Sequence, residues 1–391
     1  MVLTSWATVL FLAFATVRAG PVKTPFSLNR RSDGFPYPLD EVDKLEEDLL
    51  PKYEAYLAKK NGTHGCTLEN AARRQEWHDM TVAHREEYIA AVLCLQSKPP
   101  KADQAKYPGV MNRYDDFVLT HETQAMHLHS TPHLFPAHRL YIWAFEKALR
   151  EECGYTGWQP YWNWGRTASD PANSALFNGN MSSMGGNGAK SNYAGVPTTG
   201  FKAPYDKIPA DVGGGCVTDG PFKNMTISLG PLGTVLPDVP KNPRADGFGA
   251  NPRCLRRDVN KYAAAMTTAN YTYALITEAS SVDQFQKNML GMPEKNDWGV
   301  HMAGHYTIGG DPGGDFFSSP GDPVFWFHHG MVDRIWWIWQ MQDPDTRMNV
   351  LPDTPPVDDF VDLNWTADRA QTWDLNDSVG GNAGAFCYIY V

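Results

Sequence analysis

After residue 19 the chain contains no run of eighteen consecutive apolar residues. That argues against a later membrane-spanning helix and leads to the expectation of a soluble mature protein. Positive charge is also in deficit. Against 44 Asp and Glu there are 34 Lys and Arg, a formal net charge of −10, which speaks against nucleic acid or an anionic membrane as the main partner. Cysteine is sparse and scattered, at Cys66, Cys94, Cys153, Cys216, Cys254 and Cys387, so no zinc ribbon is formed. No repeat of fixed period is present. Hydrophobic residues at 42% and charged residues at 20% exclude wholesale disorder.

The N-terminal end is read as a secretory leader. Residues 1–19 carry the apolar run Val9–Ala15, too short to span a bilayer, followed by Val17-Arg18-Ala19 as a cleavage site. The stretch before that run lacks Lys and Arg, a departure from the usual leader. Residues 20–39 are an N-terminal extension or propeptide with an Arg30-Arg31 pair, and 40–391 form one domain. An even set of cysteines suits an oxidising compartment, with many pairings open. Sequons at Asn61, Asn180, Asn224, Asn270, Asn364 and Asn376 are candidate glycosylation sites. The expected localisation is secreted and extracellular.

Helical periodicity is read over 40–60, 69–95, a segment before His121, 137–151, 257–290, 299–307 and 322–341. Pro132 and Pro136 predict an irregular chain between His129 and His138. Residues 165–255, rich in Gly, Pro, Ser and Asn, are a loop-rich excursion that Cys216 and Cys254 could staple. The fold class expected is mainly α with little strand.

Histidine placement is the informative feature. Nine of the twelve fall in two windows: His121, His127, His129, His133 and His138, then His301, His305, His328 and His329. A lone histidine is by default a satisfied core residue; two clusters of three well-spaced imidazoles favour metal. His301 and His305 are one helical turn apart and share a face. His328 and His329 diverge by about 100° on a helix, so one is a ligand and the other supports. Asp333, four residues on, is a candidate acceptor for a ligand's free ring N–H. In His301-Met302-Ala303-Gly304-His305, Met302 stands where a zinc protease would hold its general-base Glu. All-imidazole sites suit copper. His64, His78 and His84 lie outside the pattern.

These residues resemble the tyrosinase and catechol oxidase family of type 3 copper proteins, most of all its short secreted fungal polyphenol oxidases. His121-x7-His129-x8-His138-Arg139 is similar to the first copper motif. Pro160-Tyr161-Trp162-Asn163-Trp164 follows, with Asn163 where an Asp is usual. His301-x3-His305 and Asp322-Pro323-Val324-Phe325-Trp326-Phe327-His328-His329-Gly330-Met331-Val332-Asp333-Arg334 resemble the second. Tyr388-Ile389-Tyr390 is similar to the tyrosine motif that closes the family's catalytic domain, and no shielding C-terminal domain is expected after it.

The resemblance implies a four-helix bundle holding a dinuclear copper site within long loops. It implies two copper ions on His121, His129 and His138 and on His301, His305 and His329, with O2 as co-substrate. His328, Asp333 and Asn163 would support the ligands, and Met302, Tyr306 and Phe316 would touch substrate. Partners would be small phenols. His127 occupies the position from which many relatives cross-link a Cys to the second ligand, so that thioether cannot form. Relatives that hydroxylate monophenols place an Asn after the first ligand of the second site and a Glu upstream. Here Met302 follows, and the nearest upstream Glu is Glu294. The expectation is therefore oxidation of o-diphenols to o-quinones. Alternatives are a tyrosinase with monophenol hydroxylation, an o-aminophenol oxidase and, more remotely, a haemocyanin-like O2 carrier.

Overall fold

A computed structural model describes residues 37–59, 66–129, 131–233, 236–353, 359–379 and 386–391. The leader, most of the 20–39 extension, Asn61 and His64 lie outside them. The helices in chain order are α1 Glu41–Lys59, α2 Val82–Ser97, α3 Arg113–Leu128, α4 Leu134–Cys153, α5 Lys261–Ala264, α6 Ala269–Glu278, α7 Val282–Leu290, α8 Gly299–Ile308, α9 Phe325–Met341 and α10 Pro344–Arg347. Strand is confined to short two-stranded pieces. The chain is mainly α, as expected.

Four helices carry or flank the clustered histidines. α3 packs on α4, α4 on α9, and α9 on α8. Local chemistry sets their ends. Asn112 caps α3 by accepting from Asp115 N at 3.2 Å. Pro136 falls in the first turn of α4, where a missing N–H costs nothing. The irregular stretch is therefore shorter than predicted and ends at His133. Gly154 stops α4 with φ 72°, the left-handed geometry that favours glycine. α9 is buried on every side, including all its residues from Phe325 to Met341, which is why its pattern is apolar all round. Trp326, Trp336, Trp337 and Trp339 are core residues at no more than 1% exposure. Trp326 stacks on Phe145 of α4 at 3.7 Å and 1°.

Two helix expectations are corrected. Within 69–95, Ala72–Arg74 is a strand paired in parallel with Tyr388–Tyr390, and α2 starts only after Thr81, whose side chain caps it. A tertiary pairing overrides local helix propensity there. The 257–290 stretch is three helices, interrupted where Thr268 and Ser281 cap α6 and α7.

The 165–255 excursion is short ladders held from outside. Gly188–Lys190 pairs with Gly214–Val217, Val196–Pro197 with Lys207–Ile208, and Thr226–Ile227 with Arg253–Cys254. Cys216–Cys254 closes it; Cys94–Cys153 and Cys66–Cys387 complete the pairing. Arg257 forks onto Asp322 at 2.7 and 2.8 Å with both side chains fully buried, which ties the excursion to the residues leading into α9.

Candidate metal centre

The structure brings the six predicted ligands together from α3, α4, α8, α9 and the residue closing α3. The first group is His121, His129 and His138, and the second is His301, His305, His328 and His329. Within each, one ligand atom per residue lies within 4.8 Å of the others.

In the first group each ring is fixed by a backbone carbonyl. His121 Nδ1 donates to Phe317 O at 2.7 Å, His129 Nδ1 to Ala125 O at 2.8 Å, and His138 Nδ1 to Leu134 O at 2.7 Å. With the proton on Nδ1, the lone pair sits on Nε2. Nε2 of His121 and of His138 is buried and has no partner among the described residues, an arrangement that is costly unless an ion takes the lone pair. Two of these carbonyls are four residues upstream on the same helix, a contact helical spacing alone makes available. Phe317 comes from the glycine-rich loop and left no such signal.

In the second group both ring nitrogens of His301 and Nδ1 of His329 are likewise buried without partners. His305 Nε2 and His329 Nε2 converge to 3.1 Å. His329 also faces the first group, its ring stacked on that of His138 at 4.4 Å and 10°. His328 has its ring 4.5 Å from that of His305 and packs against Trp164 at 5.2 Å and over Gly304, and no ring contact joins it to the first group's His138, on which His329 stacks. A Cβ at Gly304 would meet the His328 ring at 2.2 Å, so glycine makes room for it. Burial holds these imidazoles neutral: His121 is pushed down to about 3 and His129 to about 4. His138, His301, His305 and His329 are lowered for the same reason. Neutral rings with unshared nitrogen lone pairs and no carboxylate or thiolate among them fit copper.

Two supporting assignments are corrected. Asp333 accepts from no imidazole. Its oxygens take Arg139 Nε at 2.7 Å, Tyr388 Oη at 2.6 Å and Tyr390 Oη at 2.5 Å. Four residues after His329 it shares that helix face, but Arg139, Arg74 at 3.5 Å and the two tyrosines reach it first. Asn163 also stands off the ligands, donating to Asp40 at 3.0 Å and Asp43 at 3.1 Å, because Glu76, Asp43 and Arg166 gather round the same turn.

Of the three substrate candidates, Phe316 meets a ligand, its ring 4.7 Å from that of His129, and it is 43% exposed. Met302 and Tyr306 each follow a ligand by one residue. They therefore lie about 100° around α8 and pack on Phe201, Ile208, Ala263 and Trp298. Phe325 was missed by sequence reasoning. It contacts both groups, 5.4 Å from His121, 5.8 Å from His305 and 4.2 Å from His329, and its position one turn before His329 was the available signal.

Residues 111–342 match the model of the common central domain of tyrosinase. The chain belongs to the tyrosinase family. It is 38% identical over 305 residues to the tyrosinase-like protein orsC of Emericella nidulans, covering 74% of this chain and 79% of that one. Tyrosinase P of Aspergillus terreus is 36% identical over 334 residues, covering 81% and 91%. N-acetyl-6-hydroxytryptophan oxidase ivoB of Emericella nidulans is 35% identical over 356 residues, covering 83% and 93%. A variant polyphenol oxidase from Thermothelomyces thermophila superposes with a TM-score of 0.81 at 36% identity, covering 90% of this chain and 98% of that one. This tyrosinase-family chain is thus an oxidoreductase of the dinuclear copper class that uses O2 and acts on small phenolic substrates.

Proposed function

We propose that the enzyme oxidises o-diphenols to o-quinones and has little monophenol hydroxylation of its own. The observation that carries this is the second site's surroundings. Met302 offers no hydrogen bond beside His301, and Glu294 is exposed and paired with Lys287 at 3.1 Å. Neither side chain presents a free polar group at the site by which a water could be positioned to take a phenol proton. When bound, the coppers supply the two-electron chemistry between phenol and O2. The chain's part is to fix six Nε2 or Nδ1 lone pairs, keep the rings neutral by burial, and exclude bulk water. Phe316 offers an aromatic face beside His129 on which a flat ring can lie, with Met302 and Tyr306 at the rim of α8. Each catechol gives up two electrons and two protons. O2 takes four of each to become two waters, so two catechols are consumed per O2.

His121, His129 and His138 are the proposed ligands of one copper, and His301, His305 and His329 of the other. His329 is preferred over His328 because it converges on His305 and stacks on His138. Oxygen uptake on matched phenol, catechol and o-aminophenol, with copper counted on the same sample, tests the reading. Sustained phenol turnover without added diphenol overturns it. A second reading, hydroxyindole or monophenol oxidation, is favoured by the 35% identity to an enzyme named for N-acetyl-6-hydroxytryptophan, and the same panel with a hydroxyindole decides it.

We also infer that the protein is secreted, residues 1–19 being removed, and that 40–391 works as one catalytic domain. All six cysteines are paired in disulfides, which suits an oxidising compartment. No helix among the described residues is long and apolar enough to cross a membrane. Sequons at Asn180, Asn224, Asn270 and Asn364 are exposed and are proposed to carry glycans.

A further inference from the structure

A further pair of neighbouring imidazoles lies outside the six ligands. His127, exposed near the C-terminal end of α3, has its ring 4.5 Å from that of His133, tilted by 37°. His133 is 7% exposed. Its Nε2 donates to Asp359 Oδ2 at 2.5 Å, which puts the proton on Nε2 and the lone pair on Nδ1. The neighbour of Nδ1 is Thr131 Oγ1 at 3.4 Å. That hydroxyl has one proton, and it points to the His127 carbonyl at 2.8 Å. Among the described residues no donor is left for the Nδ1 lone pair.

A carboxylate that orients one imidazole nitrogen and frees the other is the arrangement by which proteins prepare a histidine for metal. Here it stands beside a second, exposed imidazole. Met126, 73% exposed, adds a thioether at the same end of the helix, and imidazole with thioether favours copper over harder ions. The position in the chain matters as much as the chemistry. His129 lies between these two histidines, closing α3 with its N–H on Ala125 O. The six inner ligands are largely buried, and an ion has to reach them from solvent.

We infer that His127 and His133, with Asp359 orienting His133, form an outer copper-binding site that accepts the ion at the surface and passes it to His129. The inference rests on the copper centre and not on the substrate reading, so it stands or fails independently of which phenol is oxidised.

The test is copper loading of the full-length apoprotein, using Cu(II) salt as the probe and counting bound ions. Wild type should bind three ions per chain at saturation, the third more weakly than the other two. His127→Ala, which truncates an exposed side chain, should lose the third ion. It should also slow filling of the inner pair at limiting copper, while two ions are still reached at long times. Asp359→Asn should weaken the third ion by roughly 10- to 100-fold, and His133→Gln, which keeps a donor for Asp359, should abolish it. Electron paramagnetic resonance should report nitrogen ligation of the third ion in wild type and not in His127→Ala. No third ion in wild type overturns the inference. So does a third ion that survives His127→Ala, or an unchanged filling rate in that variant.

Discussion

The Tyr390 hydroxyl donates to Asp333 Oδ2 at 2.5 Å, inside the core and one helical turn beyond His329. Tyr388 donates to the same oxygen, Arg139 of α4 binds the other, and Arg74 approaches at 3.5 Å. One carboxylate thus joins α9, α4, the strand at 72–74 and the C-terminal strand. Arg139 directly follows His138, and its guanidinium lies 4.0 Å over Trp336. The spacing of His138 and His329 is set from behind by this junction.

Asp333→Asn therefore leaves two buried arginines short of a counter-charge. Breaking a buried pair from one side costs about 3–5 kcal/mol, so the thermal midpoint should fall steeply. Tyr390→Phe removes one neutral donor and should cost about 1 kcal/mol. Thermal unfolding of both variants checks this, and equal midpoints would contradict the junction's charge-based account.

Asp115 gives the fold a pH dependence. Burial pushes its carboxyl up to about 7 from 3.8, against hydrogen bonds from the backbone at Met111 and Asn112. The folded state thus holds this proton more tightly than the unfolded one. Its contribution to stability is fully present below about pH 4 and is lost as pH rises through about 7. The difference is worth roughly 4 kcal/mol. Asp115→Asn should accordingly raise the thermal midpoint more at pH 8 than at pH 4. An equal change at both values would show that Asp115 titrates normally.

Glycans are expected at four of the five described sequons. Asn376 is 2% exposed, and its Nδ2 donates to Val350 O at 3.3 Å, so a sugar there has no path to solvent. This corrects the sequence expectation for that site. Peptide mapping by mass spectrometry should find modification at Asn180, Asn224, Asn270 and Asn364 and none at Asn376.

The metal centre was legible because ligand chemistry is written in short spacings. His301 and His305 share a helix face by arithmetic, and the clustering of His121, His129 and His138 has no packing rationale. The helices carrying them were legible for the same reason, with Gly154 and the Pro136 turn marking ends of α4. The role of Asp333 was not, since its partners Arg74, Tyr388 and Tyr390 are more than fifty residues away and only the folded chain gathers them. The strand at 72–74 was misread because its pairing partner lies at 388–390. Asn376 failed for a like reason: a sequon carries no information on burial.

The paired histidines separate by metal content. His329 converges on His305 at 3.1 Å and stacks on His138, whereas His328, its ring also close to His305, packs on Trp164 and Gly304. His329→Ala should lose one inner copper and all turnover. His328→Ala should keep both, with some loss of stability from the cavity beside Gly304. Copper analysis after removal of loosely held ions reads the result directly. If the loss of metal follows His328 instead, the ligand assignment is reversed.

Met302 tests the substrate preference. It follows His301 on α8 and lies about a quarter-turn around the helix from the ligand face, with no polar atom able to hold a water. Met302→Asn replaces the thioether with an amide that can both donate to and accept from a water at the edge of the second site. Proton removal from a bound phenol by a positioned group contributes about 10²- to 10⁴-fold, so even partial success is measurable. The expected outcome is a higher ratio of monophenol to diphenol kcat/KM at unchanged copper content. Met302→Leu, similar in volume and without the amide, should leave the ratio where it is. An equal ratio in Met302→Asn and Met302→Leu would mean that this position does not govern the preference.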